Sequence, residues 1–61
     1  MTDTTILDIQ RALSSKGYSP GTIDGILGRG TLEAIEKFQK SNNLAQGGLT
    51  YPTLDALGIK L

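Results

Sequence analysis

Residues 25–35, Gly-Ile-Leu-Gly-Arg-Gly-Thr-Leu-Glu-Ala-Ile, lie over residues 47–57, Gly-Gly-Leu-Thr-Tyr-Pro-Thr-Leu-Asp-Ala-Leu, without a gap. The matched positions include Gly25/Gly47, Leu27/Leu49, Thr31/Thr53, Leu32/Leu54, Glu33/Asp55, Ala34/Ala56 and Ile35/Leu57. Each copy reads as a glycine turn, a leucine anchor, a cap at Gly28 or Thr50 and a threonine at the third helical position, where its hydroxyl is able to return a hydrogen bond to the cap residue. The chain therefore uses one loop-to-helix device twice. Two copies are too few for a solenoid, which needs at least about three stacked units. The repeat points instead to a closed domain of a few helices.

Length sets the scale of that domain. A chain of 61 residues is one domain, here 1–61 with a core over about 5–59, and it buries only about 60% of the surface that its unfolded form exposes. There is no cysteine and no histidine, so neither a disulfide nor the usual zinc ligand set is available and packing has to hold the fold.

Helical periodicity places the elements. Ile6, Ile9, Ala12 and Leu13 share one face of a helix over about 5–16, with Asp8, Gln10, Arg11 and Ser15 mostly elsewhere. Thr5 with Asp8 resembles a weakened capping box, Asp3 and Thr4 are alternative caps, and Gly17 supplies a left-handed stop. A second helix over about 29–42 has Thr31, Ala34, Ile35 and Phe38 inside, and Glu33, Glu36, Lys37 and Lys40 outside as two acidic-first pairs four apart. Asn42-Asn43 ends it, and a third helix runs over about 51–57 to Gly58. The expected class is all-α, a three-helix domain with long ordered loops. The loop from Gly17 to Gly28 is rich in turn formers, yet carries Tyr18, Ile23, Ile26 and Leu27 as apolar anchors that predict pinning to the core. A short strand pair at Ile23 and Ile26 is the alternative.

Charge and residue inventory exclude much chemistry. Six basic and six acidic residues cancel and are scattered, so no footprint for nucleic acid or an anionic membrane exists. No apolar stretch approaches the roughly 20 residues that span a bilayer, and no signal peptide is expected in this chain, because Met1 to Thr5 lacks a basic start. Without His or Cys, Ser-His and Cys-His nucleophiles and zinc hydrolase centres are ruled out. Glu33 and Glu36 sit beside lysines on a solvated face, unsuited to glycosidase work. No catalytic residue, metal site or cofactor is expected.

The ordered series Ile9-Gln10, Leu13, Gly17-Tyr18, then Gly21, Ile23-Asp24-Gly25, Leu27-Gly28, then Thr31, Ala34-Ile35, Phe38-Gln39, and finally Leu44, Gly48, Thr53 and Leu57 resembles the peptidoglycan-binding domain appended to bacterial and phage cell-wall hydrolases. Relatives of that domain also form the pro-region of matrix metalloproteases. Leu27 replaces the family's usual Phe, Asn43 stands where Gly is common, and Leu54 sits where a Trp is frequent. The resemblance implies a non-catalytic module that binds the glycan strand or stem peptide of peptidoglycan and targets an attached or partner cell-wall hydrolase. It also implies a place at the cell wall, in the periplasm or outside the cell. A monomer is expected. The alternative on the same fold is a protein-interaction or inhibitory pro-domain, although the metalloprotease version blocks zinc with a cysteine that this chain lacks.

Asp24, Gly25, Gly28, Thr31, Thr50 and Thr53 read as loop and cap residues, Asp24 as an Asx-type turn. Gln10 and Gln39 read first as amides that satisfy loop backbone groups, and Gln39 secondarily as a ligand contact. Tyr18 is equally a sugar platform and a rim residue of the core. Arg29 opposes the helix dipole at its position, which makes a stem carboxylate an alternative partner. With Asn43 and Tyr51, the candidate ligand contacts around the loop are Tyr18, Arg29, Gln39, Asn43 and Tyr51.

Overall fold

The computed structural model describes residues 3–60, in which three helices follow one another: α1 (Asp3–Ser15), α2 (Arg29–Ser41) and α3 (Tyr51–Leu57). α1 packs on both α2 and α3, so the core lies around its inner face. Ile9 and Leu13 from α1, Ala34, Ile35 and Phe38 from α2, and Leu54 and Leu57 from α3 form it. The Cα radius of gyration is 10.0 Å, against about 10.5 Å expected for a folded chain of this length.

Each helix ends in the same way. Gly17, Asn43 and Gly58 take positive φ of 89°, 56° and 80°, and the residue after each turns its N–H back to a carbonyl five positions earlier. These bonds are Tyr18 N to Leu13 O at 2.8 Å, Leu44 N to Gln39 O at 2.8 Å and Ile59 N to Leu54 O at 2.9 Å. A second bond closes each Schellman motif, from Gly17 to Ser14, Asn43 to Lys40 and Gly58 to Asp55. The motif also returns an apolar side chain to the core, and Tyr18, Leu44 and Ile59 are all packed against it. The Tyr18 ring meets Phe38 edge-on, 5.5 Å between centroids.

Several expectations are corrected. α1 begins at Asp3, so Asp3, Thr4 and Thr5 all lie inside the helix, and the position before it lies outside the described residues. α1 and α2 each stop one residue short of 16 and 42. Neither acidic-first pair on α2 closes; among the described residues the ion pair is Asp8 with Arg11 at 3.9 Å. Such exposed pairs contribute little, so their side chains stay solvated.

The larger correction concerns the loop. Ile23, Ile26 and Leu27 are 42%, 65% and 37% exposed, and they are not the pins that hold it. No strand forms at Ile23 and Ile26 either. What orders the loop is the buried amide of Gln10.

Candidate functional site

Two glutamines organise the two loop-to-helix junctions. Gln10, fully buried on α1, reaches the Gly17–Gly28 loop with both ends of its amide. Its Oε1 accepts from Asp24 N at 3.1 Å and Gly25 N at 2.9 Å. Its Nε2 lies 3.0 Å from Ile26 O and 3.0 Å from Thr31 Oγ1, and slightly farther from Thr22 O and Asp24 Oδ1. An amide carries two N–H protons, and the two shortest distances mark where they go. Thr31 Oγ1 in turn donates to Pro20 O at 3.2 Å. That is a correction: its hydroxyl crosses to the far side of the loop and does not return to Gly28, which caps α2 with no side chain.

Asp24 closes the arrangement. Its Oδ1 accepts from Ile26 N, two residues on, at 2.9 Å, an Asx turn. The Ile26 N–H first, and the Gln10 amide second, hold the Asp24 carboxyl below the usual carboxylate range. Gly25 is buried beneath this turn. Gly30 is close to the loop as well, because a Cβ there would stand 2.9 Å from Pro20 O.

The second junction repeats the first, 22 residues on. Gln39 Nε2 donates to Gly48 O at 2.8 Å and Thr53 Oγ1 at 3.0 Å, the positions that correspond to Ile26 and Thr31. Thr50 caps α3, its hydroxyl accepting from Thr53 N at 3.4 Å and bonded to Thr53 Oγ1 at 2.9 Å. The other half of the network is missing. Asp24 corresponds to Gln46, there is no Asx turn, and Gln39 Oε1 has no partner although Gln39 is 1% exposed. It is the one buried side-chain polar atom among the described residues in that condition. A buried acceptor left unpaired costs about 1–3 kcal/mol.

Three concavities accompany these features. One of about 510 Å³ lies over α3, lined by Tyr51, Pro52, Leu54, Asp55 and Ile59. A cleft of about 300 Å³ lies between α2 and the following loop, lined by Leu32, Ile35, Glu36, Gln39, Gly47 and Gly48. A third of about 150 Å³ follows the first loop from Pro20 to Thr31. Ligand clefts usually run from about 300 Å³ upward, which favours the first two.

The candidate contact residues fall apart in space. Tyr51, 78% exposed, belongs to the α3 concavity, and Gln39 to the α2 cleft. Gln39 lines that cleft but is 1% exposed, with its Nε2 spent on the loop and its Oε1 unpaired and closed to solvent. Tyr18 is half-buried against Phe38, Arg29 is exposed at the first position of α2, and Asn43 is exposed while its backbone ends that helix. None of these last three lines any of the three concavities. Leu54, where the resemblance has a Trp, is 5% exposed and part of the core. Sequence reasoning missed Glu36, Gly47 and Leu32 as neighbours of Gln39. The signal was present in the repeat, because an Asp in one copy against Gln46 in the other leaves the second amide half used.

Among the described residues no three acidic side chains gather as a metal site, and no helix is long and apolar enough to cross a membrane. No curated protein and no solved structure gives a match to the chain. The Gln-Thr junctions, the Asx turn and the first two Schellman stops fall within the ordered motifs that a family model matches over residues 2–57, and the chain belongs to that family, described as "Putative peptidoglycan binding domain".

Proposed function

We propose that the chain is a non-catalytic module that binds peptidoglycan and holds an attached or partner cell-wall hydrolase on its substrate. The family match over residues 2–57 carries this reading. The side-chain inventory supports it: Glu33 and Glu36 are exposed beside Lys37 and Lys40, with nothing that would make either a general acid. The two larger clefts, of about 510 and 300 Å³, are suited to a few groups of an extended polymer and to modest affinity. Such binding places the working site at the cell wall.

The test is co-sedimentation of the full chain with protein-stripped sacculi, with microcrystalline cellulose as the control glycan. Retention on sacculi above cellulose is expected, and equal retention overturns the reading. One observation favours a second reading, an interaction module for a protein partner. Ile23, Ile26 and Leu27, within five positions of one loop, are all more than a third exposed, and contiguous exposed apolar surface marks contact sites. Retention on untreated sacculi that vanishes on protein-stripped sacculi belongs to that second reading.

A further inference from the structure

We infer that the cleft between α2 and the Gly47–Gly48 loop is a subsite for a secondary amide, whose N–H donates to Gln39 Oε1. This rests on the peptidoglycan reading, since both the N-acetyl groups of the glycan and the peptide bonds of the stem supply such amides.

The argument begins with the broken symmetry of the two junctions. Gln10 Oε1 is saturated by Asp24 N and Gly25 N. The corresponding N–H groups, of Gln46 and Gly47, do not reach Gln39 Oε1, which is left without a partner in a residue 1% exposed. Buried acceptors are almost always paired, and an exception calls for a ligand or a role. Here the acceptor, closed to solvent as the loop stands, belongs to a residue that lines a cleft of about 300 Å³, and an N–H donor that enters the cleft and displaces the glycine loop supplies what the loop withholds.

The surroundings fit an amide. Leu32 and Ile35 give one apolar wall, suited to an acetyl methyl or an alanine side chain, and the exposed Glu36 carboxylate lies at the edge for a hydroxyl or ammonium group. Gly47 and Gly48 close the other side with φ of 112° and 108° and nothing within 4 Å of where a Cβ would stand. Admitting the donor requires this loop to shift, and neither glycine carries a side chain that packs it in place. The N–H groups of Gly47 and Gly48 donate to no other group among the described residues, so they are free to meet the carbonyl of the same amide.

Gln46→Asp tests this directly. It gives the second junction the Asp-Gly of the first, so the new carboxylate accepts from Gly48 N, draws the loop N–H groups onto Gln39 Oε1 and fills the subsite from within. The expected result is a raised melting temperature together with sacculus retention weakened about tenfold, the worth of one good hydrogen bond. Chemical-shift mapping of the wild-type chain supplies the second readout. Titration with chitotriose, which has acetamido groups and no peptide, or with a synthetic stem tetrapeptide is expected to move the Gln39 side-chain amide, Gly47 and Gly48. Whichever probe moves them identifies the source of the amide. Shifts confined to Tyr51 and its neighbours, or to the first loop, overturn the subsite, as does unchanged sacculus retention by Gln46→Asp. In either case a wild-type chain that still sediments with sacculi leaves peptidoglycan binding standing. A wild-type chain that does not sediment removes that reading itself, and amide-induced shifts at Gln39 are then still the measure of the subsite.

Discussion

At the scale of single residues, Gln10 outweighs every charged side chain in the molecule. It is an uncharged residue with no solvent contact, and one amide satisfies two loop N–H groups, a loop carbonyl and the first-turn threonine of α2. Gln10→Ala strands those groups together, and the cost is expected at roughly 2–4 kcal/mol in chemical denaturation. A loss under about 1 kcal/mol would show that water replaces the amide freely. Asp24 acts on the same loop through its charge. Its carboxyl is held below the ordinary value by the Ile26 N–H and then by Gln10. A carboxyl depressed in the folded state stabilises it fully above its unfolded pKa, near 3.9, and loses that contribution as pH falls through the lower folded value. Asp24→Asn, which keeps an oxygen and loses the charge, is therefore expected to melt below the wild type at neutral pH. The gap should narrow in melts taken below about pH 4, and a gap constant with pH would assign Asp24 a purely geometric part. The pairing of Gln10 with a loop was legible from its place beside Ile9. Its four partners were not, because nothing in the sequence says how close the loop folds over the helix.

At the scale of elements, the helices were legible and the loop was misread, for one physical reason. Helix stops are local: a left-handed residue and the apolar residue after it specify a Schellman turn without help from the rest of the chain, as at Gly17-Tyr18, Asn43-Leu44 and Gly58-Ile59. The order of the Gly17–Gly28 loop is non-local. Its isoleucines suggested burial and are in fact exposed, since the space beneath the loop is taken by the Gln10 amide and Thr31. The start of α1 was placed two residues late because Thr5 and Asp8 imitate a cap. Glycines in the first junction of loop and helix separate two effects. Gly30 lies in the first turn of α2, where alanine is favoured by about 1 kcal/mol on helix propensity. A Cβ there meets the Pro20 carbonyl at 2.9 Å, backbone against backbone, while one at Gly28 meets nothing within 4 Å. The contact is expected to win. Gly30→Ala should lower the melting temperature and Gly28→Ala should change it little, and a stabilised Gly30→Ala would mean that the loop shifts away at no cost.

At the scale of the whole molecule, the core joins an apolar majority to a buried polar minority. Among the described residues the core holds seven apolar side chains, and four polar ones are buried with them, Gln10, Thr31, Gln39 and Thr53, which are the two glutamine-threonine pairs of the repeated junction. Polar pairs of this kind fix where loops sit but add little net stability once their desolvation is counted, so the apolar seven carry the fold. For a chain of 61 residues the usual stability is about 3–9 kcal/mol. Phe38 is the one aromatic among the seven, 3% exposed, and Tyr18 stands edge-on against it. Truncating a buried Phe to Ala costs about 3–5 kcal/mol, from a third to all of what the domain has, and the loss of the Tyr18 edge contact adds to it. Phe38→Ala is therefore expected to be largely unfolded at room temperature, with helical circular dichroism lost over the entire chain, because α1 packs on both other helices and cannot keep one without the other. Ile35→Val, about 1 kcal/mol, should stay folded with a lower midpoint. If Phe38→Ala kept two thirds of its helical signal, α1 and one partner would fold as a unit without the third helix, and the two junctions would be independent pieces instead of one cooperative core.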